Sequence, residues 1–146
     1  MTPEPLTLPE ARALAVRAHG DQLDRDGSFH IAHVARVADR VGPSEARQRV
    51  AWLHDVLEDT ETDPEELRQR LPDAEWEALR LLTHDEADSY ADYVEAIAAA
   101  EGDAGGLARA VKESDILDNV GRCCAARDAE IGKYGAALAR LWRPSP

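Results

Sequence analysis

The stretch Trp52-Leu53-His54-Asp55-Val56-Leu57-Glu58-Asp59-Thr60 gathers one imidazole and three carboxylates within six residues. On a helix turning about 100° per residue, His54, Asp55, Glu58 and Asp59 fall at about 0°, 100°, 40° and 140°, so they share one polar arc while Leu53, Val56 and Leu57 take the rest. A His-Asp pair alone is a weak signal, because solvated helices also carry acids. Two distant residues add context: His33 stands 21 residues before His54, and Asp115 stands 61 after it. Two imidazoles and two carboxylates form an N2O2 donor set with positions left for water. Such a set suits a borderline divalent ion such as Mn²⁺, with Fe, Co and Zn also compatible. An ion of this kind lowers the pKa of bound water and clamps a phosphoryl oxygen.

The charge balance narrows what that chemistry can act on. Lys and Arg total 17 against 29 Asp and Glu, a formal net charge of -12. This is the wrong sign for tracking a phosphate backbone, so no nucleic-acid partner is expected. A small phosphorylated substrate must be received by a cation or a local basic cluster, and a metal at the His/Asp set answers that need. No apolar run approaches the roughly 18 to 20 residues that span a bilayer, and the start MTPEPLTLPE lacks a signal-peptide pattern, so no membrane partner and a cytoplasmic location are expected. Cys123 and Cys124 are adjacent, too close to pair with each other, and are expected to be ordinary thiols.

The 146 residues suit one domain, 1–146. Helical periodicity dominates and no alternating strand with a hairpin turn stands out, so the fold is expected to be all-α with about seven or eight helices. Thr7 and Glu10 form a capping box, with Pro9 in the first turn of a helix to about Gln22, and DRDGS breaks it. Ile31, Val34, Val37 and Val41 mark a core helix stopped by Gly42-Pro43, and Val50, Leu53 and Leu57 mark the next. Asp63-Pro64 opens a short helix, Asp73 is placed to cap the one through Trp76, Leu79 and Leu82, and Asp88 or Ser89 starts another through Tyr90, Val94 and Ile97. GDAGG, residues 102–106, reads as the most flexible linker, followed by helices over Val111 to Val120 and Ala125 to Trp142.

With these pieces in order, His33, His54-Asp55 and Asp115 resemble the metal set of the HD phosphohydrolase superfamily. The longer match HDVLEDT, with AHGDQ at 18–22 and Val-Lys-x-x-Asp-x-x-x-Asn at 111–119, is similar to the hydrolase domain of the RelA/SpoT homologues and the stand-alone small alarmone hydrolases. The resemblance covers roughly residues 10–122. It implies a compact HD-type helical fold and one Mn²⁺ held by His33, His54, Asp55 and Asp115. Glu58 and Asp59 would position or deprotonate the attacking water, and Asn119 would face the nucleotide. The implied reaction removes the 3′-pyrophosphate of ppGpp. The sequence departs from the family at the nucleotide pocket: Asp24 stands where an arginine stacks on the base, Arg25 keeps a charge beside it, and His30 replaces a tyrosine.

Plainer readings stand beside these. A lone histidine is more often a satisfied core residue, and Glu58 and Asp59 also suit a solvated helix end before Asp63-Pro64. Lys112, one of two lysines, suits either a substrate phosphate or the surface, and Arg25 either the substrate or a charged turn. His30 and His84 are candidates for a second metal and His19 for support of the site, although structural roles are commoner. Leu138, Leu141 and Trp142 suit either a homo-oligomer interface or the core. The expected partner is a small nucleotide. Alternatives to alarmone hydrolysis are an HD nucleotidase or phosphatase acting on a nucleoside monophosphate or NADPH, and a non-catalytic nucleotide sensor.

Overall fold

The computed structural model describes residues 3–122 and 128–142, the side chains of 128–131 excepted. Within these residues the chain is all-α: α1 Leu8–His19, α2 His30–Arg40, α3 Glu45–Leu53, α4 Val56–Asp59, α5 Pro64–Arg70, α6 Asp73–Leu82, α7 Tyr90–Ala99, α8 Gly102–Arg122 and α9 Asp128–Leu141. No strand occurs among them; one isolated antiparallel bridge, Leu23 to Phe29, closes the α1–α2 loop. Cys123 and Cys124 lie outside the described residues.

Local chemistry explains most boundaries. The Thr7 side chain accepts from the Glu10 amide, Ser44 from Arg47, Asp63 from Glu65 and Ser89 from Asp92, each satisfying an amide that a helix start leaves open. The first helix stops at His19 rather than Gln22. Pro72, not Asp73, takes the cap position of α6, where no side chain bonds the helix start.

Two further expectations need correction, the first of them at the site. The HDVLEDT stretch is not one helix: α3 ends at Leu53 and α4 restarts at Val56. The His54 ring nitrogen Nδ1 lies 2.6 Å from the Ala51 carbonyl, the group that the Asp55 amide would use in a continuous helix. The His54 amide turns to the same carbonyl at 3.4 Å, three residues back, and the backbone tightens. The chain therefore turns at His54-Asp55 and shows both side chains to the interior.

GDAGG is likewise no linker but the first turns of the 21-residue α8. A Cβ on Gly105 would lie 2.0 Å from the Ala100 carbonyl oxygen, so glycine is required there by close approach, not by flexibility. Arg109 reaches back to the same carbonyl at 2.5 Å and to that of Ile97 at 3.3 Å, satisfying the end of α7.

The core sits around α8, which packs against α2, α3 and α6, with α1 on α3 and α9 on α7. Leu53, Leu79, Ile97, Val111 and Ile116 fill it. Leu141 joins this core and Leu138 packs beside it, whereas Trp142 is exposed. No helix of the described residues is long and apolar enough to cross a membrane.

Candidate metal and phosphate site

The turn at His54-Asp55 opens into a cavity of about 300 Å³, to which α2 contributes His30 and His33, α4 Glu58 and Asp59, α7 Tyr90 and Tyr93, and α8 Lys112, Asp115, Asn119 and Arg122. His33, His54 and Asp115 are all buried, and one ligand atom from each lies within 4.8 Å of the others. His33 Nε2 is 2.9 Å and His54 Nε2 3.5 Å from Asp115 Oδ1, and Asp55 Oδ2 is 3.1 Å from His54 Nε2. The four residues expected to bind metal thus converge.

The ring orientations fit a cation. His54 Nδ1 donates to Ala51, and its Nε2 is buried with no hydrogen-bond partner, set between two carboxylates. His33 Nδ1 lies 2.6 Å from Asp118 Oδ2, and Asp118 is itself gripped by Arg36 Nε at 2.7 Å. A carboxylate that fixes one imidazole nitrogen so that the other can face a metal is a recurrent arrangement. Burial works against charge on His54, yet Asp55 and Asp115 hold its pKa well above the usual histidine value. The field that favours a proton at Nε2 also attracts a divalent ion there. Despite burial, Asp115 is held well below the usual carboxylate range by Lys112, His33 and His54.

Glu58 and Asp59 lie beside this set. Glu58 Oε1 accepts from the His84 amide at 2.7 Å, and burial together with Asp55 and Glu58 pushes the Asp59 carboxyl up to about 6. Gln22 Nε2 donates to the Asp59 carbonyl at 2.7 Å, tying the end of α4 to the α1–α2 loop. Lys112 is buried, bonded to Asp115 Oδ2 at 2.9 Å and 4.9 Å above the Tyr93 ring. Asn119 lines the cavity. Arg25 is exposed and does not line it; Asp24 does, accepting from Arg122 Nη1 at 2.7 Å and facing His30 Nδ1 at 2.7 Å.

Several residues in the wall or behind it escaped sequence reasoning. Asp118 and Arg122 follow Asp115 at helical spacing, a signal open to inspection, but the partner each holds lies on another element. Tyr90 and Tyr93 form the far wall: Tyr93 stacks on His84 with ring centroids 4.6 Å apart, and Lys133 Nζ sits 4.0 Å above Tyr90. The Tyr90 hydroxyl is buried without a hydrogen-bond partner. His84 Nε2 pairs with the Asp88 carbonyl at 2.8 Å, and His19 Nδ1 with Gln22 Oε1 at 3.0 Å behind His30.

No family model matches the chain, and no curated protein matches it. Among solved structures, it is similar to a metazoan ortholog of SpoT that hydrolyzes ppGpp and plays a role in starvation responses. The TM-score is 0.71 at 19% sequence identity, over 92% of this chain and 82% of that one. The chain therefore shares its all-α fold with that ppGpp hydrolase.

Proposed function

We propose that the protein is a metal-dependent phosphohydrolase of a nucleotide-like substrate, with (p)ppGpp 3′-pyrophosphate hydrolysis as the reaction it fits best. The observation that carries this reading is the buried, unpartnered His54 Nε2 set among His33, Asp55 and Asp115, with Glu58 and Asp59 alongside. His33, His54, Asp55 and Asp115 would hold one divalent ion, Mn²⁺ being the expected one. Bound there, the ion polarises a phosphoryl oxygen and eases ionisation of water.

The remaining steps belong to side chains of this chain. Glu58 and Asp59 orient the attacking water and take its proton, the carboxylates standing one helical turn beyond His54-Asp55. Lys112, fixed by Asp115 and the Tyr93 ring, offers a buried positive charge to the phosphoryl group. Asn119 and the Tyr90 ring, with its unsatisfied hydroxyl, face the nucleotide. The likeness to a ppGpp hydrolase supports this choice of substrate at the level of the fold.

One observation favours a second substrate class. Asp24 occupies the wall where the family pattern has a base-stacking arginine, and its carboxylate is committed to His30 and Arg122. That wall suits a nucleoside monophosphate or NADPH as well as guanine. Release of phosphate and pyrophosphate from ppGpp, pppGpp, nucleoside monophosphates and NADPH, with Mn²⁺ and with EDTA, separates the two. Mn²⁺-dependent pyrophosphate from ppGpp supports alarmone hydrolysis; phosphate from another substrate keeps the chemistry and moves the substrate. Silence throughout contradicts both and leaves a nucleotide-sensing module.

A further inference from the structure

Three histidines around the cavity share one arrangement. In each, Nδ1 lies against an oxygen acceptor: Asp118 for His33 at 2.6 Å, the Ala51 carbonyl for His54 at 2.6 Å, and Asp24 for His30 at 2.7 Å. A proton on Nδ1 satisfies each acceptor and leaves Nε2 facing carboxylates across the cavity, hydrogen-bonded to Asp115 in His33 and to Asp55 in His30. The function proposed above uses His33 and His54 and leaves His30 without a task.

His30 Nε2 is 2.9 Å from Asp55 Oδ2 and 4.0 Å from Asp59 Oδ2. One ligand atom from each of His30, Asp55 and Asp59 lies within 4.8 Å of the other two, the same span as in the group of His33, His54 and Asp115. Asp55 joins the groups, because the same Oδ2 is 3.1 Å from His54 Nε2. Beside them, the buried His54 Nε2 has no hydrogen-bond partner.

We propose that His30, Asp55 and Asp59 form a second divalent-cation site that shares Asp55 with the first. The donor set, one imidazole and two carboxylates, suits a borderline ion such as Mn²⁺. This proposal rests on the metal-dependent reading for the first ion. The charge count is compatible with a second ion: five carboxylates line the cavity against Lys112, Arg122 and Lys133 among the described residues, so with neutral histidines one divalent ion brings the wall to balance. A second leaves it positive, as an anionic phosphoester requires. Paired ions about 3.5–4 Å apart clamp both attacking and leaving oxygens in phosphoryl transfer, and a shared carboxylate such as Asp55 spans that separation. Asp59 then serves as a ligand, and proton removal falls to Glu58, which belongs to neither group. Asp24 is a positioning residue, fixing the His30 ring through Nδ1.

Metal counting tests this directly on the whole chain. Protein stripped with chelator is dialysed against rising Mn²⁺, and bound metal is measured by plasma mass spectrometry, with electron paramagnetic resonance reporting coupling between ions. The expected result is two Mn²⁺ per chain with an exchange-coupled spectrum in the native protein. His30→Gln should hold one, with helicity by circular dichroism unchanged, and Asp24→Asn should weaken the second ion about 10- to 100-fold. Asp59→Asn is the replacement probe if His30→Gln does not fold. Saturation of the native protein at one Mn²⁺, or two in His30→Gln, overturns the second site while leaving the first. No bound Mn²⁺ overturns both the site and the function on which it rests.

Discussion

The two ends of the cavity are built differently. At the inner end His33, His54 and Asp115 are each no more than 7% exposed, and both rings are fixed through Nδ1, one by a carboxylate and the other by a carbonyl. At the outer end Tyr90 is half-buried, Lys133 is exposed, and their contact is a cation over a ring at 4.0 Å. The inner geometry is held by hydrogen bonds and charge from several helices, whereas the outer wall depends on two elements, α7 and α9. On the proposed function, the reaction belongs to the inner end and the choice of substrate to the outer one. Rate should therefore be sensitive to single atoms inside, and affinity to side-chain size and charge outside.

The largest effect expected is from Asp55→Ala, which removes the carboxylate common to both ligand groups. Metal content should fall to none, and turnover to background, in an assay with added Mn²⁺. Next is Glu58→Gln, which keeps shape but removes the proton acceptor: metal content should stay native while kcat drops about 10²- to 10⁴-fold. A Glu58→Gln enzyme with native kcat would break the division by showing that the water needs no such base. Smaller again is Lys133→Ala with Tyr90→Ala, which should raise KM about tenfold and leave kcat within a few-fold, as loss of binding common to ground and transition states requires. A large fall in kcat would move the outer wall into the reaction. Smallest for activity is Gly105→Ala, far from both ends: the clash with the Ala100 carbonyl should cost about 1–3 kcal/mol of stability, read as a lower Tm, while KM is unchanged.

The residues proposed for the inner end from the sequence lie together in the fold. His33, His54, Asp55 and Asp115 could be proposed because metal chemistry demands particular residue types, and types are visible without coordinates. The helical class and most caps were visible for the same reason, since Thr7, Ser89 and Asp63-Pro64 act on backbone within three residues. What stayed hidden depends on pairing across the fold. Asp24 read as a lost arginine and His30 as a lost tyrosine; in space the two residues are one pair, 2.7 Å apart, aimed at Asp55. Arg122 drew no assignment because its partner Asp24 comes within reach only when the α1–α2 loop meets α8. GDAGG failed differently: glycine is ambiguous between freedom and close approach, and only the Ala100 carbonyl resolves it.

On the proposed function, a divalent ion held by His33, His54, Asp55 and Asp115 would support phosphoester hydrolysis with Glu58 as base. That function is tested most directly by measuring bound Mn²⁺ and product release from ppGpp on the same samples of native protein and Glu58→Gln. Metal is expected in both, with Mn²⁺-dependent pyrophosphate release that EDTA abolishes in the native protein and almost none in the variant. Product release that survives EDTA, or equal rates in the two proteins, would contradict that function.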